Sequence, residues 1–453
     1  MKLLLLVSFL FISVIIQAQK VWTLEDCVNY ALENNLDIKK QVLTVENNKR
    51  QLLQSKLGML PDFNANATNV WNFGQTIDMY TNTFANTTVR SNNFYLQSNM
   101  VLFNGLSKFN TVKQNQIELM ASRYDLDVIK NNIALSVAGY YLDILFNQEI
   151  FNVAQQQLEI TKDQVSRTGK RVEAGSAARG DLLNVQAQQA TEELAMVDAE
   201  NKLAISNLAI QQLIDIPYSR DFRIEKPVLK EVGTRELTTA SVVYEHALNN
   251  RPEIKSADLR VRSAEKSLAI TRGYLYPSFS FGGSWGTGYS GASQEVDPNV
   301  NPTLNLMPIG ITQASRDTVY GYSWLNQYRV KSFNDQLTDN QNKSIGFYLQ
   351  IPIFNGWQSR TNIAKAKIRR SQAELDLEIQ KRTLRNTIEQ SYADAVSALK
   401  RYNASLQKVT AQEESFKYTE QKYEVGMLTA FDFNNNKKDL AKAQSDLLQA
   451  KYD

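Results

Sequence analysis

Two kinds of hydrophobic periodicity alternate along this chain. Over residues 105–174 apolar positions recur at spacings of three and four, with Leu126, Ile129, Ile133, Val137, Tyr140 and Ile144 on one stripe. The same spacing returns over 356–425 in Leu384, Ile388, Tyr392, Val396 and Leu399. Neither stretch contains a proline, and each ends at a glycine, Gly175 or Gly426, suited to the left-handed residue that closes a helix. At 1.5 Å per residue, about 70 residues make a helix on the order of 100 Å long, more than a compact domain of this size accommodates. Shorter helical segments flank these stretches, at 23–57 and 240–273 before them and at 180–216 and 430–453 after them. Thr23 with Asp26 three positions on forms a capping-box pattern at the first of these. Pro61 and Pro277 close the two leading segments, because proline cannot continue a helix and restricts the residue before it.

The period drops to two after each proline. Phe63, Ala65, Ala67, Trp71 and Phe73 share one parity, with Asp62, Asn64, Asn66, Thr68 and Asn72 on the other. A returning run sets Phe94, Leu96, Met100 and Leu102 against Asn93, Tyr95, Gln97 and Asn99. Phe279, Phe281, Trp285 and Tyr289 then alternate with Ser278, Ser280 and Ser284, and Ile345, Phe347, Leu349, Ile351 and Ile353 with Ser344, Tyr348 and Gln350. These alternations predict four strands in two hairpins, about 62–103 and 277–353. Each run is about 10 residues, the length a tilted strand needs to cross a bilayer. A soluble sandwich also alternates, but here the polar parity is mostly uncharged Asn, Ser and Gln, which suits a water-filled lumen. Four strands cannot close such a barrel, so a membrane reading requires strands from several chains. The first hairpin connection, about 74–92, is rich in Asn and Thr. The second, about 290–343, is longer, contains Pro298, Pro302 and Pro308, and is expected to be an exposed, irregular loop.

The two halves of the chain spell related words. Ala31-Leu32-Glu33-Asn34-Asn35-Leu36-Asp37-Ile38-Lys39 returns as Ala247-Leu248-Asn249-Asn250-Arg251-Pro252-Glu253-Ile254-Lys255, and Pro61 pairs with Pro277 at the same offset of 216. A second offset, 251, pairs Phe103-Asn104-Gly105 with Phe354-Asn355-Gly356, Gly175 with Gly426, and Asp181 with Asp432. A period of this length predicts two duplicated half-units, 19–217 and 240–453, joined by a linker at 218–239. Each half supplies two helical columns and one strand hairpin. Applied to the last helix, the offset sets Asp453 opposite Lys202, about 14 residues short of the first return helix.

Composition narrows the function. Residues 1–18 read as an export signal, with Lys2, an apolar core from Leu3 to Ile16, and Ala18 before a cut. The 50 Lys+Arg against 47 Asp+Glu select no acidic partner. The basic cluster Lys365, Lys367, Arg369 and Arg370 reads as a solvated helix face, so no nucleic-acid partner is expected. Cys27 is the only cysteine and His246 the only histidine, which removes the usual His/Cys metal sets and intrachain disulfides. Neither an enzyme nor a cofactor is expected.

The duplicated Ala-Leu motif, the Pro61/Pro277 strand starts and the Phe-Asn-Gly pair stand in a fixed order. Arg171-Val172-Glu173-Ala174-Gly175 and Lys422-Tyr423-Glu424-Val425-Gly426 complete it. In this the chain resembles the TolC family of outer membrane efflux proteins over nearly all of its mature length. The resemblance implies a mainly α fold with a membrane β-barrel segment. Very long helices would form a periplasmic α-barrel, and four strands per protomer would contribute to a trimeric 12-stranded barrel. It implies a homotrimer set in outer membrane lipid, acting as the exit duct of a tripartite efflux or type I secretion system. A periplasmic adaptor (membrane fusion protein) and an inner-membrane RND or ABC transporter would dock at the helix tips around Gly175 and Gly426. The family's periplasmic aperture maps onto Asp181, Tyr423 and Asp432. Leu428 and Asn435 stand where the family carries the aperture's arginine and a further aspartate, so the ion-pair latch is not reproduced. Asp181 and Asp432 equally suit caps of the return helices. The alternative to a duct is an exported coiled-coil scaffold without a channel, which explains the helices but not the four strands.

Overall fold

The computed structural model describes residues 21–85, 88–227 and 238–453. The expected export signal at 1–18, and 228–237 within the expected linker, lie outside the described residues. The chain is mainly helical. It opens with β1 (Val21–Trp22), α1 (Leu24–Asn34) and α2 (Leu36–Leu57), then β2 (Asn64–Asn72), β3 (Thr76–Ile77), β4 (Phe84–Ala85) and β5 (Val89–Asn104). The long helix α3 (Ser107–Glu173) and the return helix α4 (Arg179–Leu213) follow, and then β6 (Arg223–Ile224). Next come α5 (Ala240–Asn250), α6 (Pro252–Gly273), β7 (Ser278–Ser290), β8 (Gln294–Val296), β9 (Thr303–Ile311), β10 (Thr318–Leu325) and β11 (Tyr328–Val330). A short helix, α7 (Phe333–Asp339), precedes β12 (Asn342–Gln350), α8 (Gln358–Glu424) and α9 (Ala430–Tyr452). The helices α3 and α8 are each 67 residues long, whereas α4 has 35 residues and α9 has 23.

Each leading segment is two helices rather than the single one expected. Asn35 ends α1 in an extended conformation, and its side-chain oxygen accepts from the Asp37 N–H at 2.9 Å, capping α2. Its amide nitrogen donates to the Leu213 carbonyl at 3.2 Å, which ties the break to the end of α4. At the equivalent point Pro252 is the first residue of α6 and Arg251 before it is extended, as a residue preceding proline prefers to be. The expected capping box at Thr23 and Asp26 is present.

The fold divides into two compact units. One comprises 50–116 and 263–370. Its centre is an antiparallel sheet in the order β12-β7-β5-β2. The registers pair Ala65 with Leu96, Leu96 with Trp285, Met100 with Phe281, and Phe281 with Phe347, so the apolar parities of all four strands share one face up to Val101; at the bulge that follows, Phe103 rather than the expected Leu102 stands opposite Phe279. The Phe279 and Phe347 rings stack at 5.7 Å on that face. Gln97, Ser284 and Ser344 line the opposite face, where the Ser284 and Ser344 hydroxyls meet at 2.6 Å. The outer strands β2 and β12 each pair on one side only within the chain. The Phe-Asn-Gly turns have a structural reason: Gly105 and Leu106, and again Gly356 and Trp357, are consecutive left-handed residues that swing the strand direction into the long helix.

The insertion between β7 and β12 is more regular than expected. It holds the β9–β10 and β8–β11 antiparallel pairs and α7. Gln336 of α7 is buried and grips both backbone groups of Ser290, accepting from its N–H at 2.8 Å and donating to its carbonyl at 3.0 Å. Leu304, Leu306, Tyr322 and Trp324 alternate along β9 and β10 with period two, and that pattern outweighs the proline content that suggested a loop.

The other unit comprises the described parts of 1–49, 117–262 and 371–453. Its main core gathers Cys27, Ala31, Val137, Tyr141, Ile144, Leu145, Ile210, Ile214 and Phe222 from α1, α3, α4 and the segment after α4. The parallel pair β1–β6 borders it. Tyr141 is 2% exposed and donates its hydroxyl to the Glu225 carbonyl. Burial, with Cys27 and Glu225 nearby, pushes the phenol from 10.0 up to about 12. Only the neutral phenol fits this core, so its contribution to stability is complete below pH 10 and is lost as pH rises towards 12. Tyr141→Phe is expected to cost about 1 kcal/mol at neutral pH. The advantage of the natural protein over the variant should shrink between pH 10 and 12, as followed by helical ellipticity during thermal unfolding.

Candidate functional site at the helix tips

The helix hairpins α3–α4 and α8–α9 end in two turns of the same design. Gly175 has φ +71° and Gly426 has φ +78°, the left-handed region that a glycine adopts without a Cβ penalty. At the first tip the Gly175 N–H donates to the Val172 carbonyl at 3.0 Å and the Ser176 N–H to Arg171 at 2.8 Å. At the second, Gly426 donates to Tyr423 at 3.1 Å and Met427 to Lys422 at 2.8 Å. These are the paired bonds of a Schellman closure, which satisfy the last carbonyls of each long helix.

The return helices start differently. Thr429 caps α9: its hydroxyl accepts from the Asp432 N–H at 3.1 Å and donates to the Asp432 carboxylate at 2.7 Å. The equivalent residue before α4 is Ala178, which has no side-chain oxygen to offer, so Asp181 sits in the first turn without a capping partner. Both aspartates are exposed. Tyr423 is half-buried and stacks on Phe433 at 4.7 Å, with Phe416 at 5.4 Å from Phe433 and Leu440 completing the cluster. Within one chain, then, no hydrogen bond or ion pair joins Asp181, Tyr423 and Asp432. Asp432 serves its own helix start, and Tyr423 serves the packing of α8 on α9.

A polar cluster that sequence reasoning missed lies along the same hairpins. Lys437 of α9 is 2% exposed. Its ammonium donates to the Gln157 carbonyl at 2.6 Å, to the Thr161 hydroxyl, and to both Glu192 carboxylate oxygens at 3.1 Å. Thr161 is fully buried and also bonds Glu192, and Gln188 donates to Glu192 at 2.9 Å. Burial pushes the Lys437 ammonium below the usual lysine range, and Glu192 opposes that shift. A second link between the hairpins, Arg167 to Glu424 at 3.1 Å, has both side chains more than half exposed and is worth at most about 1 kcal/mol. One signal for Lys437 was in the sequence: with Phe433 and Leu440 it keeps the three-and-four spacing of an apolar stripe, where a charge is out of place.

Among the described residues no group of three or more His, Cys, Asp or Glu is placed to hold a metal ion, and no helix is long and apolar enough to cross a membrane. Paired long helix hairpins together with a four-stranded antiparallel sheet in one chain define the architecture of TolC-like outer-membrane channels. The solved structure of VceC from Vibrio cholerae superposes with a TM-score of 0.74 at 17% identity, covering 95% of this chain and 92% of that one. The CusC structure gives 0.73 at 16% identity, with 95% and 88% covered. Residues 27–214 and 243–453 match the sequence model described as outer membrane efflux protein, and the chain belongs to that family. It is an outer-membrane protein.

Among characterised relatives, the outer membrane efflux protein BepC of Brucella suis biovar 1 (strain 1330) is 20% identical over 361 residues, covering 79% of this chain and 68% of its own length. The outer membrane protein TolC of Salmonella enteritidis is 25% identical over 297 residues, covering 65% of this chain and 53% of its own length. This chain thus spans little more than half the length of that relative.

The unequal helix starts give a direct test. Thr429→Ala should weaken the start of α9 by about 1 kcal/mol, and Ala178→Thr should strengthen the start of α4 by a similar amount. Hydrogen exchange of the first-turn amides of each return helix measures both effects, which should have opposite sign.

Proposed function

We propose that this protein is the exit duct of a tripartite efflux system, passive in itself and driven by its partners. One observation carries the reading: a four-stranded sheet with an apolar face, a polar face and two unpaired edges, in an outer-membrane protein. Backbone groups left unpaired in hydrocarbon cost several kcal/mol each, so β2 and β12 need partners there. Edge pairing between copies supplies them. Three chains close a 12-stranded barrel, with the Asn-, Ser- and Gln-rich parity facing its lumen and the aromatic parity facing lipid.

Under this reading the two halves are copies of one duplicated unit, 19–217 and 240–453, behind a signal at 1–18. The three sets of helix hairpins continue the duct into the periplasm. A periplasmic adaptor and an inner-membrane RND or ABC transporter engage the tips at Gly175 and Gly426. The cargo is small molecules, or an exported polypeptide where the partner is a type I secretion transporter. Asp181 and Asp432 ring the periplasmic mouth together with Tyr423. No catalytic step belongs to the chain, and substrate choice rests with the transporter.

Purified protein in detergent is expected to run as a trimer that dissociates only on heating, and to conduct ions in planar bilayers. A monomer without conductance would point instead to the channel-less scaffold. Asp181→Ala and Asp432→Ala are each expected to reduce preference for cations over anions. Unchanged selectivity in both variants would remove the aspartates from the mouth and leave them as first-turn residues only.

A further inference from the structure

Lys437 poses a physical question that helix packing does not answer. A buried ion pair adds little net stability compared with apolar residues of the same volume, so a leucine would hold α9 in place as well. Nor does the repeat require a lysine there. The position equivalent to Lys437 in α4 is Gln186, which is exposed, and those equivalent to Thr161 and Glu192 are Gln412 and Ala443. The charge therefore stands only where the second hairpin meets the first. What the cluster supplies, and a leucine would not, is position. Its acceptors come from two helices, Gln157 and Thr161 from α3 and Glu192 from α4, and all converge on one ammonium. A small slide of α9 leaves the buried Lys437 ammonium without acceptors, while Glu192 loses its cation and keeps only Thr161 and Gln188, so the contact is either made or fully broken and wet. It lies seven residues into α9, about 10 Å along the helix from its start at the tip.

We propose that Lys437 is the fastener between the two helix hairpins, and that the tips separate only when its ammonium leaves Gln157, Thr161 and Glu192. The inference rests on the duct reading and adds to it the residue that holds the periplasmic end shut. Neither Leu428 nor Asn435, between the tip glycine and Lys437, carries a charge that could fasten the mouth from outside the wall. The fastener works from within the wall instead, along the seam inside one protomer.

The test compares single-channel conductance of the full chain, reconstituted in planar bilayers, with that of Lys437→Met, the double variant Lys437→Met/Glu192→Gln, and Thr161→Val. The double variant leaves no lone buried charge, so it separates fastening from simple damage to the fold. Each variant is expected to raise the fraction of time spent in high-conductance states by about tenfold, the effect of losing one charge-assisted hydrogen bond. The heat-resistant trimer should persist. Conductance unchanged from the natural protein in the double variant would overturn the fastener. If Lys437 variants fail to assemble, Thr161→Val decides, because it deletes one hydroxyl and conserves shape: unchanged gating there overturns the proposal, and increased opening supports it. Absence of any conductance in the natural protein would instead refute the duct reading itself.

Discussion

A peptide group removed from water must find its hydrogen-bond partner within the protein, and the helices, sheet and turns of this chain differ in where that requirement is met and where it is not. Inside α3 and α8 each amide is satisfied along its own helix for 67 residues. Inside the sheet, β7 and β5 satisfy each other and their neighbours. Within that sheet, among the described residues, the outer sides of β2 and β12 are left over. Those two rows of donors and acceptors make the single chain an incomplete object in a membrane, and they are the physical basis for proposing closure by further copies. The same requirement explains the tips, where each long helix must finish four carbonyls and does so through a left-handed glycine and two backward hydrogen bonds.

The two hairpins are alike in backbone and unlike in side chains. Both long helices have the same length and the same glycine closure, yet of the two return helices α9 has a side-chain cap and a buried cation and α4 has neither. In the proposed duct, likeness of backbone gives a wall of even geometry. Difference of side chains lets one hairpin behave as the mobile member and the other as its seat. The Arg167–Glu424 pair crosses the same seam with both side chains more than half exposed, so water can replace its contacts as readily as it makes them.

Much of this was legible in the residues because it is local. Pro61 and Pro277 mark helix ends, the alternation in 63–73 and 345–350 marks strands (its last positions, 351–353, fall beyond the strand end), and Gly175 and Gly426 mark the tips. Two features were present in the sequence and outweighed there: Pro252, which splits the second leading helix, and the period-two pattern of Leu304, Leu306, Tyr322 and Trp324 inside the insertion. The break at Asn35 was harder to see, since asparagine interrupts a helix only when its side chain finds the next helix start and, here, the Leu213 carbonyl. The Lys437 cluster depends on partners 245 to 280 positions away, and no periodicity along one strand of text encodes such a distance. Asp181 and Asp432 matched as a repeated pair in the sequence, and only the structure separates them, one capped by Thr429 and the other facing an alanine.

The equal length of α3 and α8 carries a further consequence for anyone altering this protein. One residue inserted into either helix turns everything beyond it by about 100° and lifts it by 1.5 Å, which would carry a buried threonine such as Thr161 out to solvent. A matched insertion of seven residues, nearly two full turns, would need to be made in both helices to keep the same faces inward. The span of the helical part is thus quantised, and engineering a longer or shorter version means adding or removing whole repeats of the helix rather than single residues.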